Sequence, residues 1–322
     1  MQWTDRIGRR VKLRDLHILL AVSQSGSISR AAERLAISHP VVSRTISGLE
    51  NALGVRLFDR GSQGVEPTMY CRAFLECGVA VFDDLRCGIQ RIEFLSDPAA
   101  GEVRIGGSEV MMAGFIPAII DRVSRQHARI VFHTVQGDGQ TLRSALRRRE
   151  VDLIVSRRLH SRAEEDLTVE PLFDEPLFVV AGLQSRWVHR RKIDVSELLS
   201  EPWILPSPDT LVWQLIADSF QSDGLGLPSV RVVSASVPLR NLLLATGRYL
   251  SVLPHSMLHF GAEHLRVKIL PVTLPGISQP VEIITLRNRT LSPTANLFTE
   301  CAREVAKTIG GQSQRRNSRR KN

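Results

Sequence analysis

Residues 13–68 read LRDLHILLAVSQSGSISRAAERLAISHPVVSRTISGLENALGVRLFDRGSQGVEPT, and two short capped helices around a tight turn are legible in that stretch. After Gly26 the Ser27 hydroxyl is placed to accept from a first-turn N–H, and Ile28, Ala31, Ala32 and Leu35 form the inner face of a helix that carries Ser29 and Arg30. Two adjacent alanines let a neighbouring backbone approach closely, as a helix pair crossing steeply over a three- to four-residue turn requires. Ala36-Ile37-Ser38 is that turn. Ser38 is the expected cap of the next helix, with Pro40 in its first turn, where a missing N–H costs little.

In this third helix Val42, Ile46, Leu49 and Leu53 share one stripe. The opposite side presents His39, Ser43, Arg44, Ser47 and Asn51. Short donors and one arginine at a helix N-terminus suit a helix laid in the major groove: arginine forks onto guanine and free N–H groups meet phosphate. An ordinary amphipathic surface helix is the competing reading of this helix alone. The flanking segment favours the first, because Val55–Arg60 reads as a strand, Gly61 to Gly64 as its turn and Val65-Glu66-Pro67 as the return. Arg56 and Arg60 on such a wing would flank a DNA backbone, or be solvated surface charges.

Ser25-Gly26-Ser27, Arg30-Ala31-Ala32-Glu33-Arg34-Leu35, Ser38-His39-Pro40-Val41-Val42-Ser43, Leu49-Glu50, Leu53-Gly54 and Leu57-Phe58-Asp59-Arg60 together resemble the amino-terminal domain of the LysR-type transcriptional regulators. The resemblance implies a winged helix-turn-helix that contacts double-stranded DNA, with Ser29, Arg30, Ser38, His39, Pro40, Ser43, Arg44, Ser47 and Arg60 as candidate contacts. It also implies a homodimer or dimer of dimers, a small-molecule effector, and RNA polymerase among the partners. Two positions depart from the family pattern. His39 stands where glutamine is usual, which bears on base preference because a neutral imidazole donates through only one ring nitrogen. Thr68 is followed by Met69-Tyr70-Cys71, without the usual glycine.

The charge of +9 is unevenly spread. Residues 1–67 hold ten Lys and Arg against six Asp and Glu, residues 312–322 hold five against none, and residues 68–311 are balanced. A basic head on a neutral body argues for a nucleic-acid-binding module joined to something else. The tail reads as a basic, disordered end that could add salt-sensitive affinity for DNA. The 322 residues allow two to three domains by a rough length prior, and 43% hydrophobic with 23% charged residues is ordinary for a soluble protein. No apolar run reaches the roughly 18 residues of a membrane span, and no signal-peptide pattern opens the chain, so a cytoplasmic location is expected. Cys71, Cys77, Cys87 and Cys301 have no metal-binding spacing and read as core or interface thiols.

From 68 to 96 runs a helix without proline, with Leu75, Phe82, Leu85, Ile89 and Ile92 at three- and four-residue intervals. So narrow a stripe reads as a helix–helix seam; packing inside its own chain is the alternative. The resemblance implies the linker through which these regulators dimerise. Asp97–Gly101 then breaks the helix.

From Glu102 short strands alternate with helices, the signature of a mainly parallel α/β sheet. Strands are expected at 103–106, 130–135, 151–156, 172–181, 203–205, 230–234, 250–253 and 281–286, and helices at 114–127, 139–149, 209–221, 238–245 and 293–309. The whole is thus an α/β protein: a winged helix-turn-helix over 1–67, a linker helix over 68–96, a two-lobed domain over 97–311 that resembles the periplasmic-binding-protein-like effector domain of the same family, and a tail over 312–322. In such folds ligands settle at strand carboxyl ends between lobes. Ser108, Gln136, Ser156, Arg157, Ser207 and Thr210 hold those positions; the hydroxyls can bond a polar effector and Arg157 can meet a carboxylate or phosphate. Each also reads as a plain helix cap or strand end. The family often places a ligand-contacting serine or threonine at the position of Ser108. No nucleotide-binding, zinc-protease or nucleophile-elbow motif is present, and neither catalytic residues, metal nor cofactor are expected.

Overall fold

The computed structural model describes residues 10–61, 64–157, 164–222, 224–261, 265–272, 274 and 278–320, without side chains at Arg60 and over 310–320. The chain forms two compact units, Met1–Gly88 and Ile89–Asn322, and the division falls inside one helix.

In the first unit helices α1 (Leu13–Ser25), α2 (Ile28–Arg34) and α3 (His39–Leu53) bury one stripe each. Ile18, Leu19 and Val22 of α1 meet Ala31 and Ala32 of α2 and Val42, Ile46 and Leu49 of α3. A fully buried Val, Leu or Ile contributes about 1.5–3 kcal/mol, so this core holds the three helices without a disulfide. The Ser27 hydroxyl accepts from Arg30 N–H at 3.4 Å, as expected. Ala36 takes the left-handed conformation, φ 52°, and lets Ile37 N–H reach back to the Ala32 carbonyl. Ser38 caps α3 through its carbonyl, which accepts from Val41 and Val42. Its hydroxyl makes no cap bond, contrary to the sequence expectation; the carbonyl already serves the first turn, and the exposed hydroxyl stays open to a partner.

The hairpin β1 (Phe58–Gly61) and β2 (Gly64–Pro67) pairs Phe58 with Pro67 and Arg60 with Val65. It begins later than the strand expected from Val55, at Phe58: Leu57, just before it, donates its N–H to Glu50 of α3 at 2.8 Å, and the same oxygen accepts from Phe58 N–H at 3.4 Å. Val65 N–H bonds to the Gly26 carbonyl at 3.0 Å. A Cβ on Gly64 would strike that carbonyl, and φ 132° there also favours glycine. The wing is thereby fixed to both the turn before α2 and the end of α3. Thr68 Oγ1 donates to the Arg56 carbonyl and accepts from Cys71 N–H, which starts α4 (Met69–Ser96).

The second unit contains a nine-stranded sheet that divides into two lobes. The first lobe holds β3 (Ala100–Gly107), β4 (Arg129–Gln136) and β5 (Leu153–Arg157), with α5 (Glu109–Met112), α6 (Phe115–Gln126) and α7 (Gly139–Arg147) between them. A 16-residue strand, β6 (Leu167–Gly182), then crosses over. The second lobe holds β7 (Trp203–Leu205), α8 (Leu211–Ser222), β8 (Val230–Val233), α9 (Val237–Ala245), β9 (Leu250–Pro254), α10 (His255–Phe260) and β10 (Val267–Ile269). The chain returns by β11 (Ser278–Leu286) and ends in α11 (Pro293–Arg320).

The sheet is mixed rather than mainly parallel. β3 lies parallel to β4 and β5, and β7 to β8 and β9, but β11 is antiparallel to β5 and β6, and β6 to β9 and β10. The reason is the double crossing: β6 leaves the first lobe and β11 re-enters it, and two passes between lobes must run in opposite directions. Residues 167–176 of β6 pair with β11, and 177–181 pair with β9. α11 extends past the expected end at Ile309 through most of the segment expected to be disordered, since nothing after Pro293 removes a backbone donor. Val110 and Ala113 of the first lobe pack against Val180, Val237 and Met257, so the lobes share apolar contact beside the crossing strand.

Candidate DNA-binding and effector sites

On α3 the apolar stripe is buried and the polar side is presented. His39, Pro40 and Arg44 are exposed, Ser43 and Ser47 are half-buried, and Ser29, Arg30 and Ser38 are exposed on the preceding helix and turn. Short polar side chains over a rigid apolar footing can approach base edges closely, and Arg44 reaches beyond them with a planar fork. Arg60 lies on β1, paired with Val65; its side chain falls outside the described residues. The wing's anchorage to Glu50 and Gly26 holds that strand at a fixed register to α3.

On α4 the lower part of the expected seam serves this unit's own core: Leu75 packs against it, and Phe82 meets His17 edge-on at 6.0 Å. Beyond that, Leu85 (48%), Ile89 (49%) and Ile92 (67%) are exposed along one face.

In the second unit the sequence candidates separate. Ser108 is the N-cap of α5, yet its hydroxyl makes no cap bond and is buried without a partner. Arg157 ends β5. Ser156 is buried in the sheet in register with Glu282. Gln136 lines an open groove with Met112, Ile116 and Thr134. Thr210 Oγ1 donates to the Ser207 carbonyl at 2.7 Å and accepts from Trp213 N–H at 3.3 Å, so it caps α8.

Around Arg157 the fold assembles residues that sequence reading did not single out. Glu175 of β6, fully buried, accepts from Ser256 N–H at 2.9 Å. Burial pushes its carboxyl above the usual range, against the pull of the Arg157 guanidinium. Burial likewise lowers Arg157, and Glu175 opposes that. Arg240 of α9 is 6% exposed; burial, reinforced by repulsion from Arg157, lowers it to about 10, with Glu109 pulling the other way. Glu109 of the first lobe accepts from Val237 N–H, on the same helix as Arg240, at 2.7 Å. Arg157 and Glu175, and Arg240 with Arg157 and Glu109, thus interact within one buried cluster drawn from both lobes, and Glu109 directly follows Ser108.

Both halves of the chain match family models. Residues 13–72 match the bacterial regulatory helix-turn-helix protein, lysR family, and residues 96–307 match the LysR substrate binding domain. The chain belongs to the LysR family of transcriptional regulators. It is a DNA-binding regulator with an effector-binding domain, as the sequence resemblance implied.

Among curated relatives, the Escherichia coli HTH-type transcriptional regulator YdcI is 27% identical over 94% of this chain and 99% of its own length. The Bacillus subtilis transcriptional dual regulator GltC is 25% identical over 90% and 96%. Among solved structures, full-length OxyR from Pseudomonas aeruginosa superposes with a TM-score of 0.64 at 22% identity, covering 91% of this chain and 95% of that one. Full-length CbnR complexed with its target DNA gives 0.63 at 17%, covering 92% and 100%. These likenesses establish the two-part fold. Among the described residues no cluster of His, Cys, Asp or Glu is placed to hold a metal ion, and no helix is long and apolar enough to cross a membrane.

Proposed function

We propose that this LysR-type regulator binds double-stranded DNA sequence-specifically and is controlled by a small molecule held between the two lobes of residues 97–311. The observation that carries the DNA half is the presented face of α3, polar and exposed at His39 and Arg44 over the buried Val42, Ile46 and Leu49. Ser29, Arg30, Ser38, Pro40, Ser43, Ser47 and Arg60 complete the proposed contact set. Residues 1–67 then form the reading head, and the basic residues within 312–322 add sequence-independent attraction to the same polyanion.

The exposed Leu85, Ile89 and Ile92 support a homodimer through 68–96, because a seam of that spacing is satisfied by a second helix. A dimer, or a dimer of dimers, sets two heads on two half-sites. The regulator works in the cytoplasm beside RNA polymerase, whose access to the promoter its position on DNA controls. Effector contact is assigned to Ser108, Gln136, Ser156, Arg157, Ser207 and Thr210, with Ser108, whose hydroxyl is buried without a partner, the first candidate. The effector must bind one arrangement of the subunits better than another, by the usual ~1–3 kcal/mol of coupling, to change the output. Gel-shift and footprinting with the DNA upstream of its own gene test the reading: protection of a site with two half-sites is expected, and no preference over random duplex would overturn it.

A further inference from the structure

The tip of α3 is poor in backbone donors. A helix leaves the N–H groups of its first turn without partners inside it, but Pro40 has none to offer, and Val41 and Val42 both donate to the Ser38 carbonyl, at 3.0 and 3.3 Å. Of residues 39–42 only His39 keeps an uncommitted backbone N–H. The other donors at this end are side chains, the Ser38 hydroxyl, which makes no cap bond, and the His39 imidazole, both exposed. Among the described residues His39 has neither a hydrogen bond nor an ion pair, so both ring nitrogens are open to a partner.

The surface that such a tip meets on a duplex is rich in acceptors: phosphate oxygens, and N7 and O6 of guanine at the major-groove edge. A neutral imidazole offers that surface one donor and one lone pair, and the lone pair faces other lone pairs. An imidazolium offers two donors. We propose that His39 binds the duplex as an imidazolium, donating one ring N–H to a base edge and the other to a phosphate, so that this regulator takes up a proton when it reads its site. The proposal rests on the reading of the α3 face as the DNA-contacting surface.

The charged groups on the helices packed together here are Arg44 and Glu50 on α3, Arg30, Glu33 and Arg34 on α2, and Arg14 and Asp15 on α1. Glu50 is committed to Leu57 and Phe58, and Arg34 donates to Gln24 at 2.7 Å. The unit's other histidine, His17, meets Phe82 of α4 edge-on. Histidine is the side chain that ordinarily changes charge between pH 5 and 8, and a bound duplex adds phosphates that favour the charged ring.

Fluorescence anisotropy of the full chain on the DNA upstream of its own gene and on random duplex, from pH 8 to pH 6 at fixed ionic strength, tests this. Wild-type affinity for the upstream DNA is expected to rise roughly 3- to 10-fold over that range, the reach of one proton taken up on binding, and affinity for random duplex to rise less. His39→Gln, which stays neutral, should match wild type at pH 8 and lose the rise. His39→Arg, which keeps a permanent charge and several donors, should bind at pH 8 about as wild type does at pH 6. Calorimetry at pH 7 in two buffers of different ionisation enthalpy should count fewer protons taken up by His39→Gln than by wild type. Matched melting curves confirm that variants at this exposed position are folded.

The same rise in His39→Gln as in wild type overturns the proposal, and so does a wild-type affinity that is flat from pH 8 to pH 6, because the ring then reads the duplex uncharged. Equal rises on upstream and random DNA overturn the base contact. If wild type prefers the upstream DNA to random duplex at no pH, the reading of the α3 face fails, and the proposal with it.

Discussion

Glu109, in the first lobe, accepts a 2.7 Å hydrogen bond from the backbone N–H of Val237, the first residue of α9 in the second lobe. The first N–H groups of a helix have no partner within it, and a carboxylate that accepts from one also meets the positive end of the helix dipole. This contact spans 128 residues of sequence and joins the two lobes. Removing it by Glu109→Ala should cost about 1 kcal/mol, the scale of a helix cap. Hydrogen exchange at the Val237 amide should then accelerate roughly fivefold, whereas Glu109→Gln, which keeps an acceptor oxygen, should change it little. Equal acceleration in both variants would mean that charge rather than the bond holds the contact.

On DNA, Arg44 and Arg60 are expected to separate by what they touch. Arg44 stands on the exposed face of α3, so Arg44→Ala should cost about 1–3 kcal/mol on a specific site and much less on random duplex. For Arg60, on β1 of the wing, the proposed phosphate contact predicts that Arg60→Ala weakens both and reduces the salt slope by about 1. Fluorescence anisotropy against salt measures both terms. Equal losses on specific and random DNA for Arg44→Ala would remove it from base reading.

The amino-terminal unit was legible because its signals are local: a serine cap at Ser27, a three- and four-residue stripe from Val42 to Leu53, and glycines at 26, 54 and 64 where the backbone turns. The buried charges of the second unit were less so, because Ser108 and Arg157 stand at strand ends whereas Glu175 and Arg240 lie inside β6 and α9, away from any end or motif. Their signal lies in register. Val237, Arg240 and Leu244 are the buried positions of α9, at helical spacing, while the apolar Leu242 is 74% exposed. Glu175 likewise alternates with the buried Phe173, Leu177 and Val179 on one face of β6. A charge on an otherwise apolar stripe is the pattern that marks both. The mixed sheet was not readable, since strand direction follows from β6 and β11 crossing between lobes, and nothing in a local window encodes that.

Glu50 is expected to matter to the wing more than its place among the recognition-helix residues suggests. Its Oε1 accepts both Leu57 and Phe58 N–H, so Glu50→Ala leaves two partly buried donors without an acceptor. Each such loss costs about 1–3 kcal/mol, and the destabilisation should be within that range or somewhat above it. Glu50→Gln should recover much of it through the remaining carbonyl oxygen. Urea unfolding of the two variants, followed by DNA affinity at a concentration where both are folded, separates loss of stability from loss of wing position.

The thiols should divide by environment. Cys77 is exposed, whereas Cys71 is buried in the first unit's core and burial pushes its thiol up to about 11. The thiolate is the reactive form, so at pH 8 Cys71 is both shielded and almost wholly protonated. A disulfide reagent should modify Cys77 rapidly in the folded chain and Cys71 only after denaturation, and Cys77→Ser should abolish the fast phase. Rapid loss of Cys71 in the native protein would contradict its packing against Thr68 and the core.

Acid should act first on surface ion pairs of the second unit. Hydrogen bonding from Arg147 holds Asp166 below its usual range, and Arg303 does the same for Glu170, linking β6 to α11. A carboxylate whose folded pKa is depressed stabilises the fold above its unfolded value and loses that contribution as pH falls through the folded value. The window therefore lies below about pH 4, where unfolded Asp and Glu begin to protonate. Both pairs are substantially exposed, so solvent screening limits each to at most about 1 kcal/mol at neutral pH. The double variant Asp166→Asn, Glu170→Gln should unfold in urea nearly as wild type does at pH 7. Between pH 4 and pH 3 its stability should fall less steeply than that of wild type, and parallel curves there would show that other carboxylates govern the acid transition.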